Sequence, residues 1–161
     1  MQQPSNNSRK PLAALVGTGA LAILAVWVPQ FEGTVQVGYR DPIGIVTACT
    51  GNTDSAVLGK RYTKAECADL LEKDLSRHAQ GVNACVPLDP LTTGQRAAAV
   101  SFAFNVGVEG FCGSTFARKL KAHDPTACAE LSRWTHAGGR ELPGLVKRRK
   151  AERDICEGKL P

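Results

Sequence analysis

The chain has 161 residues, a formal net charge of +5, six cysteines and 22% charged residues. With the first ~30 residues set apart, what remains is one ordinary domain, large enough for a core and a cleft. The modest cationic excess suits anionic surfaces such as cell wall or lipid headgroups. Nucleic acid is excluded as a partner, because no basic stripe is interleaved with aromatics and no zinc spacing occurs.

Arg9 and Lys10 precede Pro11 to Phe31, a run without a single charge. Twenty helical residues rise about 30 Å, the thickness of a bilayer core. The basic flank would stay cytoplasmic and place the remainder outside. The run is only weakly hydrophobic, rich in Ala with Gly17, Thr18 and Gly19 at its middle, while Trp27 suits an interfacial position. Three fates are open. Ala20-Leu21-Ala22 has the A-x-A form of a cleavage site, although cleavage there would leave Ile23 to Val28 as an apolar tail. A permanent anchor normally uses more Leu, Ile and Phe. A segment that enters the membrane and later leaves it fits the composition best.

From Gly33 to Tyr62 the pattern is β-like. Val35 and Val37 alternate with polar residues, Ile43 to Ala48 is largely β-branched, and Arg40-Asp41-Pro42 and Gly51 to Asp54 are turns. Helices follow. Thr63 to Glu66 is a capping box opening a helix with Cys67, Leu70, Leu71 and Leu75 on one face. Thr92 to Gln95 is a second box, before a central apolar helix from Arg96 to Asn105. Ser114 caps a third helix. Asp124-Pro125 is expected to cap a fourth that stops at Gly138-Gly139, and a fifth runs from Pro143-Gly144 to about Cys156. Lys147 to Lys150, followed by Glu152, Arg153 and Asp154, reads as a solvated helix face, with structural ion pairs for Arg133, Arg148 and Arg149. The sum is an α+β arrangement, mainly α, in which a small β lobe meets a helical lobe across a cleft.

Cys49, Cys67, Cys85, Cys112, Cys128 and Cys156 are dispersed, with no C-x-x-C pair, so zinc and thioredoxin-like chemistry lack support. Behind a membrane-directing segment they fit disulfides made in an oxidising compartment. The alternative is that some are buried free thiols. Connectivity stays open among fifteen possibilities. No metal or nucleotide motif occurs, so no cofactor is expected.

The chemistry-bearing residues are Glu32, Asp41 and Thr47, in the spacing E-x8-D-x5-T. Splitting a glycosidic bond needs a carboxylic acid for the leaving oxygen and a second group near the anomeric carbon. Glu32 lies beside Phe31 in an apolar setting that would keep an acid protonated, and Asp41 falls at a wetter turn where a carboxylate stays ionised. The Thr47 hydroxyl is suited to holding water against Asp41. The bland reading is a solvated loop. Phe104 to Gly107 reads equally as helix cap and cleft wall, Trp134 as core rather than sugar platform, and His78, His123 and His136 carry no assigned role.

The chain resembles the phage-type (T4-like) lysozymes, glycoside hydrolase family 24, and within them endolysins with a signal-anchor-release segment. The resemblance rests on F-E-G at 31–33, Y-R-D at 39–41, V-T-A-C-T-G-N-T at 46–53 and Y-T-K-A-E-C at 62–67. It continues with F-N-V-G at 104–107, G-F-C-G-S-T at 110–115, R-W-T-H-A-G-G at 133–139 and G-L-V-K-R-R at 144–149. It implies a lysozyme-like fold in which Glu32 is the general acid while Asp41 and Thr47 activate water. The reaction would be inverting hydrolysis of the bond between N-acetylmuramic acid and N-acetylglucosamine. Glycan contacts are implied for Gly51, Thr53, Phe104, Asn105, Ser114 and Gly144.

The resemblance also implies a cytoplasmic leader at 1–10, a releasable transmembrane segment at 11–31 and a periplasmic muramidase domain at 32–161. The partners would be peptidoglycan strands and the bacterial inner membrane, the enzyme a monomer later released into the periplasm. Some relatives use a leader cysteine for control; this leader has none, which leaves membrane tethering as the source of latency. The Cys85 and Cys112 pair looks additional to the cysteines expected. Rival readings are a lytic transglycosylase, a non-catalytic wall-binding module, and pore formation by the leader alone.

Overall fold

The segment from Pro11 to Phe31 does not stand apart from the domain. In the computed structural model, which describes residues 10–159, it forms α1 (Leu12–Val16) and α2 (Thr18–Glu32), broken at Gly17. Gly17 sits at φ +83°, a conformation that only glycine adopts without strain. Among the described residues no helix is long and apolar enough to cross a membrane. Leu12, Val16, Ala20, Leu24 and Val28 recur every four residues and are buried in the main core. They pack with α4 (Thr93–Val106), whose Ala97 to Ala103 are wholly enclosed. The leader expected at 1–10 lies almost entirely outside the described residues.

After Gly33 the chain enters the small lobe. β1 (Val35–Arg40) and β2 (Val46–Cys49) pair antiparallel, Tyr39 facing Thr47 and Arg40 facing Val46. The β2 strand starts three residues later than the β-branched run suggests, because Asp41 to Ile45 are taken by a turn. Ala48, Cys49, Tyr62 and Cys67 form this lobe's own small core. A core of that size holds few apolar contacts, and the Cys49–Cys67 disulfide staples it to the next helix.

That helix is α3 (Lys64–Cys85), which joins the two lobes. Its capping box is complete: Thr63 Oγ1 accepts from Glu66 N, and Glu66 accepts from Thr63 N at 2.7 Å. Thr92 and Gln95 repeat the arrangement at α4. Gly94 lets α4 meet the end of α7 (Pro143–Cys156), since a Cβ there would lie 2.1 Å from the Ile155 carbonyl. Between them come α5 (Val108–Cys112) and α6 (Thr115–Lys121), the latter capped by Ser114 as expected.

The expected fourth helix is corrected. Ala127–Arg133 is a 3-10 turn with no side-chain cap, and Gly138-Gly139 form the tip of a hairpin, β3 (His136–Ala137) with β4 (Arg140–Glu141). Asp124 Oδ1 accepts from both the amide and the hydroxyl of Thr126, closing a local turn instead of opening an α-helix. The six cysteines pair as Cys49–Cys67, Cys85–Cys112 and Cys128–Cys156. Cys85–Cys112 ties α3 to α5, and Cys128–Cys156 ties the 3-10 turn to α7.

Candidate active site

Glu32 is the last residue of α2, so its placement depends on how α2 docks. Its Oε1 accepts from Arg148 Nη1. Arg148 is fixed in turn: Nε donates to Glu152 Oε1 at 2.9 Å and Nη2 to the Ser101 carbonyl at 3.0 Å. Its guanidinium lies 4.9 Å from the Phe31 ring centre. Glu152 is 0% exposed and also accepts from Ser101 Oγ at 2.7 Å and from Arg149 Nη1. Arg149 donates to the Trp134 carbonyl at 3.0 Å and to Asn105 Oδ1, above the Phe102 ring. Burial pushes the Arg149 guanidinium below its ordinary value, against the opposing pull of Glu152.

Two expectations change here. The carboxylate of Glu32 meets a guanidinium, not the apolar wall read from Phe31. The basic run of α7 is not a solvated face, because Arg148, Arg149 and Glu152 are buried and only Lys147 and Lys150 are left to water. The ion pairs expected of Arg148 and Arg149 are present, and they terminate on the candidate acid. Signs at i, i+3 and i+4 on a helix cannot tell a surface ladder from a buried network.

Asp41 and Thr47 are organised around one residue, Ile45. Asp41 Oδ1 accepts from Ile43 N at 3.0 Å and Ile45 N at 2.8 Å. Thr47 Oγ1 donates to the Ile45 carbonyl at 3.2 Å. Thus both faces of the Ile45 residue are held by the two candidate side chains. Among the described residues Asp41 Oδ2 has no hydrogen-bond partner, and Thr47, with its proton committed, keeps lone pairs to accept with.

The candidate glycan contacts divide. Asn105 and Gly144 line one depression of about 670 Å³ with Glu32, together with Trp27, Phe31 and Arg148. Asp41, Thr47, Gly51 and Thr53 belong to the small lobe and do not line it. Gly51 and Thr53 are exposed around the turn after β2. Phe104 packs 4.9 Å from the His78 ring, which gives that histidine a structural place. Ser114 is buried with its hydroxyl accepting from Ala117 N and donating to the Phe111 carbonyl, so its hydrogen bonds are committed to the helix cap. Trp134 meets Phe102 edge-on at 5.1 Å. Among the described residues no group of His, Cys, Asp or Glu is placed to hold a metal ion. A second, more apolar cavity of about 520 Å³ between α2, α3 and the small lobe contains none of the candidate catalytic residues.

One long helix joins the two lobes, Glu32 closes α2 where the chain passes into the small lobe, and Asp41 and Thr47 lie on that lobe's hairpin, an architecture of the lysozyme class. The comparisons agree. The phage lysozyme family model matches residues 29–152. The chain is 43% identical over 157 residues to the SAR-endolysin of Enterobacteria phage PA-2, covering 92% of this chain and 94% of that one. The SAR-endolysin of Enterobacteria phage P21 is 42% identical over 156 residues, with the same coverage. The muramidase domain of SpmX from Asticaccaulis excentricus superposes with a TM-score of 0.76 at 33% identity, over 83% of this chain and 93% of that one. The chain belongs to the phage lysozyme family.

Proposed function

We propose that this lysozyme is a phage endolysin, hydrolysing the β-1,4 bond between N-acetylmuramic acid and N-acetylglucosamine in peptidoglycan, with Glu32, Asp41 and Thr47 as its catalytic residues. The observation that carries the reading is a pair of half-committed carboxylates. Glu32 engages Arg148 through Oε1, and Asp41 engages two backbone amides through Oδ1. Each therefore presents its second oxygen to substrate or water. Glu32 gives its proton to the glycosidic oxygen. Asp41 takes a proton from a water that Thr47 orients, and that water attacks the anomeric carbon from the opposite face. One displacement by water inverts the configuration. Asn105 and Gly144, beside Glu32, would contact the glycan.

Latency follows from where Glu32 sits. If residues 11–31 lie in the inner membrane, α2 is absent from the core, and Glu32 is held away from Arg148 and from the hairpin. The apolar side chains that would face lipid are the ones the domain buries after release into the periplasm. SAR-endolysin relatives at 43% and 42% identity support this order of events.

The test is digestion of peptidoglycan by the full chain, wild type beside Glu32→Gln, with mass analysis of fragments. The full chain is needed because Leu12 to Ala20 contribute to the core. Reducing-end fragments from wild type only are expected. Anhydro-sugars would assign a transglycosylase, and undiminished lysis by Glu32→Gln would assign a wall-binding module.

A further inference from the structure

The cavity of about 520 Å³ between α2, α3 and the small lobe takes no part in the proposed chemistry. One stripe of α2, Ala20, Leu24 and Val28, is buried in the main core. The stripe one residue on, Leu21, Ala25 and Pro29, lines this cavity across from Ala68, Leu71 and Leu75 of α3. The two helices run antiparallel here, because α2 ends and α3 begins at the small lobe. The cavity therefore has unlike ends. Thr34, Gln36, Thr50 and Lys64, the first residue of α3, stand at the small-lobe end, while Leu21 and Leu75 stand at the other. Gln36 donates to the Tyr62 carbonyl at 2.9 Å. Thr50 is 4% exposed and makes no side-chain hydrogen bond among the described residues. Lys64 makes no ion pair among them either, since Glu66, the acid nearest to it on α3, is taken by Lys60 and by the capping box. Glu72 also lines the cavity, but two turns and about 12 Å along the helix from Lys64.

A cation and a hydroxyl at one end of an apolar slot suit an anionic amphiphile. A sugar would leave the leucine walls without apolar contact, and a hydrocarbon would leave Thr50 and Lys64 without a partner. The volume falls in the ordinary range of ligand pockets, about 300–1,000 Å³. Lys64 to Leu75 measures about 16 Å along α3, the reach of one medium-length acyl chain. We propose that the cavity binds a fatty acid, with its carboxylate pairing Lys64 and accepting from the Thr50 hydroxyl, and its chain laid between α2 and α3. Because α2 supplies one wall, the ligand binds only the docked state and stabilises it by mass action. A lipid-derived acid would thereby favour the released enzyme, a consequence that, unlike the site itself, rests on the tethering reading.

The experiment is calorimetric titration of the full chain with decanoate below its micellar concentration, without peptidoglycan. One decanoate per chain should bind, and a free concentration 100 times Kd should raise Tm by about 8 °C. Ala68→Trp, at an exposed helix position, fills the slot and should abolish both effects. Lys64→Gln should weaken decanoate about fivefold, the upper range for an exposed charge pair, and leave decanol unchanged. Several decanoates per chain, undiminished by Ala68→Trp, would mean detergent-like adsorption and overturn the proposal, as would no saturable binding or equal weakening of decanol by Lys64→Gln. Retention on phosphatidylglycerol vesicles that Ala68→Trp abolishes would assign a bilayer lipid in place of a free acid and also overturn it. Peptidoglycan digestion by both variants should match wild type, since neither residue lines the depression at Glu32. Absence of digestion by wild type would sink the hydrolase reading, whereas a failed titration leaves that reading standing.

Discussion

Glu152→Gln tests whether the buried charge network places Glu32, the proposed catalytic acid. Glu152 is fully enclosed and receives hydrogen bonds from Ser101, Arg148 and Arg149. The substitution keeps size and shape but leaves two buried guanidinium groups without their shared anion. Breaking a buried pair by removing one partner costs about 3–5 kcal/mol. At roughly 3 °C per kcal/mol for a domain of this size, Tm should fall by about 10 °C. Glu32→Gln is the contrasting case. Its side chain is 27% exposed, so losing the Arg148 pair should cost about 1 kcal/mol or less, while loss of the proposed general acid should cost about 100-fold or more in rate. One variant is therefore unstable with partial activity below its Tm, the other stable and nearly inactive. Thermal unfolding by circular dichroism, beside reducing-end release at 20 °C, separates them. A Glu152→Gln protein melting within 2 °C of wild type would refute the network's part in stability. An unchanged Tm with activity as low as Glu32→Gln would mean that Glu152 acts in the chemistry itself.

Replacing Cys85 and Cys112 by Ala opens a loop of 27 residues, which the chain-entropy account values at about 3.5 kcal/mol; urea unfolding should show most of that loss, and a shift under 1 kcal/mol would refute it. The Lys119 ammonium, 2.6 Å from Glu130, holds that carboxyl below its ordinary range, so its stabilisation is present at neutral pH and lost as pH falls through the lowered value. Lys119→Met should therefore melt below wild type at pH 7 and converge with it below about pH 3, and a constant gap would exclude this linkage. Gly17→Leu, Thr18→Leu and Gly19→Leu together should keep the protein in the membrane fraction and abolish timely lysis. The leucines strengthen the hold of lipid, and they also oppose docking, because Gly17 is at φ +83° and a Cβ on Gly19 would lie 3.0 Å from Thr93. Lysis at the usual time would count against tethering.

Much of the fold was readable because its signals are local. Thr63 with Glu66 and Thr92 with Gln95 announce helix starts through bonds made within three residues, and Pro143 does so through its fixed φ and missing N–H at the first helical position. The failures are cases where local signals have two outcomes. Asp124 can cap a helix or close a turn with Thr126, and neighbouring packing decides. Gly138-Gly139 can end a helix or, with both φ values positive, turn a tight hairpin. At the proposed site, Glu32, Asp41 and Thr47 could be picked out by type and order, and the expected turn at Asp41 is present. The partner of Glu32 was not, since Arg148 lies 116 residues away and its spacing to Glu152 also fits an exposed ladder.

On the proposed reading, the uncharged segment from Pro11 to Phe31 has to suit two environments. A stripe of Leu12, Val16, Ala20, Leu24 and Val28 is apolar enough for lipid and correctly spaced for a helix lying on α4. Burying each Leu or Val is worth roughly 1.5–3 kcal/mol in either place, because leaving water is the common term. The difference between lipid and core is thus small beside either burial alone. Small residues shift that difference toward the protein: Gly17 permits the break between α1 and α2, and Gly19 the approach to Thr93. Glu32 follows this segment as the last residue of α2 and there accepts from Arg148. On the proposed reading, the step that takes α2 out of the membrane is also the step that builds the acid half of the site. No separate inhibitory element is then required, because the enzyme lacks one wall of its cleft until its anchor becomes part of its core.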